Sequence, residues 1–393
     1  MKNFYYITII GLLLLSCNRT KQSESNEISV VINQNREFLE IPVDIDQNYS
    51  LPLSEIAEEI TAIELELTDE SLINPEAIQR ILVSEDHIIV ISGRLGLATI
   101  HVFNKDGKFI RSIGSIGQGP GEYTSINSVA LDEKNRRLFI ATFMPNRIIC
   151  YDLDGKFLNA SEIYSQFDSF VDIHYLNDEL LFIAFQMALE NKIENRKVTI
   201  KHSLYRMKDD FQMIDNGIIL KQDFETLSGS GNGYNYKDFI FHGNSSFYLY
   251  YCENYHPQTP PMEIVLRDTL YRYEDNQRIP DLKLKFKDNG IDRGGNKFIH
   301  LFNMFRSSRY VFSIYKKDDI VNSSWYHFCY DTKTGKGYNM QDGYTDDING
   351  IEKRVRIRPL VADSELFYSL HTNMKPDDKE EPNPTLYIIK LKK

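Results

Sequence analysis

Short apolar runs, separated by glycine, aspartate and asparagine, recur along most of the chain and predict strands. In the first well-defined group they cover residues 77–84, 87–92, 98–103 and 108–114. Runs of this length that are bounded by turn residues are typical of a chain built mainly from sheets. Apart from a turn or two near residues 54–59, the pattern predicts no amphipathic helix of useful length.

Two of the strand pairs repeat each other closely. Residues 100–110 align without a gap with residues 148–158, and Gly155 follows Gly107 by 48 positions. Each copy has a strand, an Asp-Gly turn and a Lys-Phe pair that starts the return strand, which predicts a β-hairpin. A weaker copy covers residues 330–336. A period of about 40–50 residues with four strands in each unit is the sequence signature of a β-propeller.

Counting strands in this period predicts six blades. The first five cover about residues 76–114, 126–163, 169–220, 236–287 and 300–340. The sixth has only three C-terminal strands, at residues 354–361, 365–371 and 385–391, so its fourth strand must come from elsewhere. The alternating residues 60–67 supply it, and pairing there removes both free sheet edges. We therefore predict an all-β fold, a six-bladed β-propeller of four-stranded blades over residues 51–393, with the ring closed by an N-terminal strand.

The N-terminus predicts export and a lipid anchor. Lys2 precedes an apolar run over residues 4–15, which is short for a membrane span but suits a signal sequence. The run ends at Leu14-Leu15-Ser16-Cys17, which resembles the lipobox of bacterial lipoproteins. Residues 1–16 are then a signal peptide, and residues 17–50 a lipidated N-terminus at Cys17 with a polar tether to the membrane. The alternative is an ordinary signal peptide with an incidental cysteine.

Composition narrows the set of partners and cofactors. The formal net charge of −11 offers no basic field for nucleic acid, so no nucleic-acid partner is expected. The three remaining cysteines, Cys150, Cys252 and Cys329, are far apart and predict neither a zinc site nor a disulfide framework. The histidines show no compact ligand spacing, so neither a metal nor another cofactor is predicted.

Several motifs together resemble one known family. They are the lipobox, the closing strand at residues 60–67, the Asp-Gly-Lys-Phe hairpins, the GQGPGEY stretch and Asp268-Thr269-Leu270-Tyr271. The chain is similar to six-bladed β-propeller lipoproteins of Gram-negative gut bacteria, which are relatives of NHL-repeat propellers. The resemblance implies a cell-envelope protein and assigns no activity. Residues 18–23 lack the acidic run that resembles a surface-export signal in such bacteria, which favours the periplasmic side of the outer membrane.

The stretch Ser115–Tyr123, SIGQGPGEY, poses a choice between a phosphate loop and a chain connector. Its three glycines permit positive φ values and Pro120 fixes a corner, while no Lys-Ser or Lys-Thr and no helix follow. A similar run at residues 229–234 precedes the fourth predicted blade. The favoured interpretation is a connector between blades one and two, with Tyr123 packed between them. The alternative is ligand contact by Gln118 or Glu122.

Two further patterns are candidate binding residues. Arg354, Arg356 and Arg358 alternate with apolar residues, which puts three guanidinium groups on one face of a predicted strand. They suit an anionic ligand such as a carboxylate or sulfate, and the alternative is pairing with acidic neighbours. Asp172 and His174 share one face of a predicted inner strand and are either channel-lining ligands or a hydrogen-bonded structural pair.

These observations favour a non-enzymatic binding or scaffold protein of the cell envelope. A rigid ring offers loop-built surfaces for binding at both ends. The ligand is unknown and is a small molecule, a glycan or another protein. The alternative is a metal-dependent hydrolase or lactonase-like enzyme with its site at the channel mouth, since related six-bladed propellers have such sites. A component of an envelope assembly is a third, less favoured interpretation.

Overall fold

The repeating units of the sequence fold as six sheets, arranged as the blades of a propeller ring. The computed structural model of the protein describes residues 38–93, 97–191, 196–226, 240–242, 247–249, 268–274, 277–287, 298–318, 323–360, 365–372 and 381–393. The signal sequence, Cys17, the glycine run at residues 229–234 and Cys252 lie outside the described residues. Within them, no helix is long and apolar enough to cross a membrane.

The first part of the described chain contains the N-terminal elements and blades one and two. The N-terminal elements are β1 (Leu39–Val43), the one-turn helix α1 (Leu53–Ile56) and β2 (Ala57–Glu64). After a 3₁₀ turn at Pro75–Ala77, blade one contains β3 (Ile78–Val83), β4 (His87–Ser92), β5 (Thr99–Asn104) and β6 (Phe109–Ser112). Blade two contains β7 (Ile126–Asp132), β8 (Arg137–Thr142), β9 (Ile148–Asp152) and β10 (Phe157–Ala160).

Blades three to six follow in chain order. Blade three contains β11 (Ser169–Leu176), β12 (Glu179–Asn191), β13 (Arg196–Lys208) and β14 (Met213–Thr226). Blade four contains β15 (Ile240–His242), β16 (Phe247–Leu249), β17 (Thr269–Glu274) and β18 (Gln277–Phe286). Blade five contains β19 (Phe298–Arg306), β20 (Tyr310–Asp318), β21 (Ser323–Asp331) and β22 (Lys336–Gln341). Blade six contains β23 (Arg358–Pro359), β24 (Leu366–His371) and β25 (Thr385–Leu391).

The N-terminal strand closes the ring, as the sequence predicts. Strand β2 pairs antiparallel with β25, with Ile60 opposite Ile389, so the last sheet has the order β23-β24-β25-β2. Ala57 and Ile63 of this strand are buried, at 6% and 8% exposure, and Ile60 is partly buried. The strand begins and ends three residues earlier than the predicted range of 60–67. Closure by β2 gives blade six its fourth strand and covers an edge that would otherwise be free to pair with another chain.

A further strand, β1, was not predicted. It lies within the range assigned to the polar tether and pairs parallel with β18, which makes blade four five-stranded. Ile41 and Val43 are buried, at 0% and 2% exposure. Five residues give too short an alternation to stand out among polar neighbours, and the partner strand lies more than 230 positions away. Long-range pairing of this kind leaves almost no local signal.

The Asp-Gly hairpins form where the sequence predicts them. In blade one the Asn104 N–H donates to the Lys108 carbonyl, and in blade two the Asp152 N–H donates to the Lys156 carbonyl at 3.0 Å. The glycines of these turns, Gly107 and Gly155, have φ values of +81° and +86°. This left-handed region is open to glycine at little cost, which explains why both copies keep it.

Blade six corrects one detail of the prediction. The predicted strand at residues 354–361 is reduced to Arg358–Pro359. The preceding residues instead belong to the connector from blade five, in which Val355 forms an isolated bridge with Tyr344. The alternation of the predicted strand nevertheless persists, because Val355 and Ile357 are both 4% exposed while the arginines between them face solvent.

Candidate functional site

The two ends of the ring are built from different loops. At one end, connectors such as residues 113–125 and 342–357 lead from an outer strand into the next innermost strand, and we call this end the connector face. At the other end the innermost strands finish in tight turns, at residues 84–86, 133–136 and 177–178, and we call this end the hairpin face. Loops at the ends of a rigid sheet scaffold are the usual places for binding residues.

A repeated β-bulge places one polar residue at the same position in four innermost strands. In β3, β7, β11 and β19 the pairing with the second strand skips one residue, which is the second or third residue of the strand in β3, β7 and β11 and lies at the middle of β19. The residue that follows each skipped position is polar and buried; these residues are Arg80, Ser128, Asp172 and Asn303. A bulge turns the following side chain relative to a regular strand. The repeat therefore lines the region where the blades converge with polar groups from different blades.

Three of these polar groups join blades one, two and three. The Arg80 guanidinium lies 2.6 Å from the Asp172 carboxylate, and the Ser128 hydroxyl donates to the same carboxylate at 2.9 Å. The second carboxylate oxygen lies 3.0 Å from Nε2 of His174. Asp172 is completely buried and Arg80 is 5% exposed. We call these four residues the inter-blade cluster.

The electrostatics of the cluster favour an ionised carboxylate. Burial alone would raise the pKa of Asp172, but the charge of Arg80 and the contact with His174 outweigh it and hold this pKa well below its usual range. Arg80 also donates to the backbone carbonyls of Val129 and Ile173, each at 3.1 Å. The sequence singled out Asp172 and His174 as a pair, and the structure confirms that they are in contact. Sequence analysis did not select Arg80, because a single arginine in a short strand gives no signal of a partner two blades away.

A pocket of about 420 Å³ opens at the hairpin face, next to this cluster. Its walls come from the ends of β3, β7 and β11 and from blade six, and most of its lining side chains are apolar. Val129 and Ile173, whose carbonyls bind Arg80, line it, and so does His174. Pockets of this size that are mostly apolar with a few polar groups are typical of small-molecule sites. No sequence pattern predicted this pocket, since its residues come from four blades.

The glycine-rich stretch forms the connector between blades one and two. Tyr123 is 4% exposed, and its hydroxyl donates to the Ile113 carbonyl at 3.0 Å. The Glu122 carboxylate turns back into its own loop and accepts from the Gly119 N–H at 2.7 Å. Gln118 is exposed. The contacts of Tyr123 and Glu122 within the loop agree with the favoured interpretation of a chain connector.

The reason for its glycines differs in part from the prediction. Only Gly121 of the three has a positive φ, of +80°. A Cβ atom at Gly117 would overlap the Glu122 carboxylate, and one at Gly119 would lie 3.0 Å from it. At Gly117 and Gly119 the missing Cβ atom leaves room for the folded-back Glu122 carboxylate, and neither residue has a positive φ.

The three arginines form an exposed basic strip on the connector face, which we define as Arg354, Arg356 and Arg358. Arg354 donates to the hydroxyls of Ser50, at 3.3 Å, and Thr345. Arg356 is 61% exposed and has a 3.8 Å contact with the half-exposed carboxylate of Asp342. Neither of these contacts is the close bidentate pairing that neutralises a guanidinium inside a protein.

The surroundings of the basic strip are also shaped by positive charge. His327 is 4% exposed, and burial together with the charges of Arg356 and Arg358 lowers the pKa of its imidazole to about 3. Next along the chain, Lys353 lines a pocket of about 930 Å³ between blades six and one. Burial, followed by the charge of Lys353, also lowers the pKa of His371 in this pocket. Lys353 therefore borders a concave surface of the connector face, which Glu76 and Glu381 also line.

No group of three or more histidine, cysteine, aspartate or glutamate side chains that could hold a metal ion is present in the part of the chain that the structure describes. Cys150 and Cys329 are buried free thiols. The candidate residues thus lie in three places: the basic strip on blade six, the inter-blade cluster, and the connector that contains Gln118 and Glu122.

The fold and these sites define a six-bladed β-propeller with two concave surfaces, and comparisons with known proteins give its family. A family model covers residues 37–392, and the chain belongs to this family, the domain of unknown function DUF4934. No curated protein matches the chain.

One solved structure supports the same fold. A crystal structure from Bacteroides fragilis, described as a "Putative exported protein", is 16% identical with a TM-score of 0.61. The alignment covers 91% of this chain and 100% of that one, which shows a shared fold. A member of the DUF4221 family from Bacteroides vulgatus has 9% identity and a TM-score of 0.45, over 86% of this chain and 97% of that one. The resemblance to bacterial propeller proteins predicted from the sequence is therefore confirmed for the fold.

Proposed function

We propose that this protein is a lipid-anchored binding protein of the bacterial cell envelope, which holds an anionic ligand on its connector face and does not convert it chemically. The observation that carries this proposal is the basic strip. Three guanidinium groups are presented to solvent at alternate positions, above buried Val355 and Ile357, in a chain of net charge −11. The partners of Arg354 and Arg356 leave much of their hydrogen-bonding capacity available to a ligand.

The spacing of the strip suggests what kind of anion fits it. Alternate residues of an extended chain lie about 6.5–7 Å apart, so the Cα atoms of the outer arginines are at most roughly 13 Å apart. A ligand with several carboxylate or sulfate groups can contact two of them at once. Each charge-assisted hydrogen bond contributes about 1.5–3 kcal/mol to the binding free energy, so a ligand that contacts two guanidinium groups should bind more tightly than one that contacts a single group.

Export and anchoring rest on the N-terminal sequence. Leu14-Leu15-Ser16-Cys17 resembles a lipobox, and the Bacteroides fragilis protein with the same fold is described as exported. The absence of an acidic run at residues 18–23 favours the periplasmic side of the outer membrane. Replacing Cys17 with Ser should abolish labelling by a radioactive or clickable fatty acid and release the protein from the membrane fraction. Continued labelling of that variant would show that the anchor is elsewhere.

Binding to the basic strip can be tested with polymers that differ only in charge. Dextran sulfate, carboxymethyl dextran and uncharged dextran would be titrated against the parent protein and against a variant with Arg356→Gln and Arg358→Gln. We expect the two anionic polymers to bind the parent, and the double variant to lose at least about tenfold in affinity, which corresponds to one lost charge-assisted contact. Because these charges are exposed, the effect should weaken as added salt shortens the screening length below about 8 Å.

The control for net charge is Arg136→Gln on the hairpin face, compared with Arg356→Gln alone so that each variant removes one charge. Arg136 is 48% exposed, and its contacts with carboxylates in the described part of the chain are long, at 3.5 and 4.0 Å. Equal losses in the control would mean that net charge, and not the strip, drives binding. A double variant that melts earlier but binds normally would mean that the arginines are structural.

A further inference from the structure

The pocket at the hairpin face is a second concave site, separate from the basic strip. It is bordered by the last residues of the innermost strands of blades one, two and three and by Leu360 and Leu366 of blade six. Its volume of about 420 Å³ is within the range of small-ligand sites. Its position at the end of the innermost strands means that a ligand could enter it from solvent without any movement of the blades.

The floor of this pocket is held rigid by the inter-blade cluster. Arg80 bonds the carbonyl groups of Val129 and Ile173, and both of these residues line the pocket. His174, which also lines it, contacts the buried Asp172 carboxylate at 3.0 Å. A floor whose backbone and whose His174 side chain are already held by hydrogen bonds loses little conformational entropy when a ligand binds.

The walls of the pocket suit a hydrocarbon group. Aliphatic side chains from four blades line it; they are Leu82, Val83, Val129, Ala130, Leu131, Ile173, Leu176, Leu360 and Leu366. Of these, Val83, Leu131, Leu176 and Leu366 remain partly exposed. Covering partly exposed apolar surface with a hydrocarbon contributes roughly 25 cal/mol for each Å² removed from water. The walls therefore supply affinity without specifying charge.

The rim of the pocket supplies the charge preference. Asp132 is 1% exposed, and its carboxylate is bound by Arg137 at 2.6 Å, so that charge is compensated. The exposed lining charges are Glu133 and Asp178 against Lys134, which lies 3.5 Å from Asp178. The neighbouring hairpin turn of blade one adds Glu85 and Asp86, and the cations next to it are Arg136 of blade two and Lys105, which donates to the Ser84 carbonyl. Among the described residues, four exposed carboxylates therefore lie at this rim with three cations, which leaves a small excess of negative charge.

We infer that the hairpin-face pocket binds a small amphipathic cation, with a hydrocarbon body against the aliphatic walls and an amine or quaternary ammonium group at the acidic rim. The inference adds a second ligand, of opposite charge, to the one proposed for the basic strip. It depends on the geometry of the innermost strands and not on whether the strip binds anions.

The test compares three probes that share a ten-carbon chain. Decyltrimethylammonium, decyl sulfate and decyl maltoside would be titrated calorimetrically below their micelle concentrations. We expect the cation to bind most tightly and the sulfate most weakly. A variant with Glu133→Gln and Asp178→Asn should lose about tenfold in affinity for the cation. That is about threefold for each charge, the factor expected for unit charges about 6 Å apart in water.

Two substitutions at Leu176 separate the pocket from its rim. Leu176→Lys places a cation inside the pocket edge and should abolish binding of decyltrimethylammonium, while Leu176→Met keeps an apolar side chain of similar size and should bind like the parent. The charge control is Asp106→Asn, in the outer hairpin turn of blade one, which should have no effect. Circular dichroism and melting curves would verify that each variant is folded.

The proposal is overturned by any of three results: equal affinity for the three probes, tightest binding of decyl sulfate, or unchanged cation binding by Leu176→Lys. Dextran sulfate binding, measured in parallel, should be the same in all of these variants. The hairpin-face site can therefore fail while the basic strip still binds anions, and the reverse outcome is equally distinguishable.

Discussion

Replacing Asp172 with Asn tests whether the inter-blade cluster stabilises the ring. Asp172 is completely buried, and its carboxylate is 2.6 Å from Arg80 and 3.0 Å from His174. Removing its charge takes away the carboxylate that lies 2.6 Å from the Arg80 guanidinium, which is 5% exposed. Breaking a buried ion pair in this way costs about 3–5 kcal/mol. Since folded proteins are typically stable by only about 5–15 kcal/mol, the Asp172→Asn variant should be strongly destabilised at pH 7.

The same substitution has a predictable pH dependence. The folded-state pKa of Asp172 lies well below its usual range, whereas the unfolded chain should titrate near pH 3.9. The unfolded state therefore binds more protons in the interval between these values. The stabilisation by Asp172 is fully present above about pH 5 and is lost progressively as the pH falls through 3.9 towards the folded-state pKa. The stability gap between the parent and the variant should narrow over that interval.

Urea unfolding followed by fluorescence, at several pH values from 7 down to 3, measures both effects. The matched control is Asp154→Asn, because Asp154 lies 2.7 Å from Arg111 but is 70% exposed, so it should change stability little. A double variant with Arg80→Met and Asp172→Leu should be less destabilised than the sum of the single changes, since no buried charge remains. A loss below about 1 kcal/mol for Asp172→Asn at pH 7, or a gap that stays constant on acidification, would refute this reasoning.

Two further outcomes are expected for the fold. A chain that starts at residue 65 lacks β1 and β2 and should aggregate or lose most of its stability, because blade six is left with an open edge. A chain that starts at residue 51 lacks β1 and the contacts of residues 44–50 with blade five and Arg354 but keeps β2, so it should lose less stability. Gel filtration and urea unfolding compare the two chains with the parent, and equal stability of all three would contradict closure by β2. Gly117→Ala should destabilise the connector because its Cβ would overlap the Glu122 carboxylate, and adding Glu122→Ala should relieve the loss in thermal melts. If the second change instead adds fully to the first, the steric explanation is wrong.

The parts of the fold that the sequence predicts well are those with local signals. The Asp-Gly hairpins at Gly107 and Gly155 repeat at a fixed spacing, and each is a self-contained turn between strands that are neighbours in the chain. The closing strand was predictable for a different reason, since a sixth blade with three strands requires a fourth. Strand β1 pairs with a distant partner, and the predicted number of strands was already complete without it. The sequence therefore does not predict this strand.

The candidate site was predictable only in part. The alternation of Arg354, Arg356 and Arg358 with apolar residues is visible in the sequence, and their exposure agrees with it, although the regular strand that was predicted for them is mostly a connector. The contact between Asp172 and His174 follows from their spacing on one strand. The pocket at the hairpin face could not be predicted, because its walls are assembled from residues that are up to 284 positions apart, from Leu82 to Leu366.

The inter-blade cluster shows why a single blade cannot reveal such a site. Four innermost strands have the same bulge followed by a buried polar residue, so sequence repetition explains the position but not the identity of the side chain. Which side chain occupies this position in one blade depends on the side chains of the other blades. A buried arginine in blade one is stable there when another blade supplies a carboxylate. A structural role and a ligand-binding role for Asp172 and His174 therefore do not exclude each other. Asp172 is sealed from solvent and holds the blades together, while His174 extends the same cluster to the floor of the pocket, so stability and binding depend on the same group of side chains.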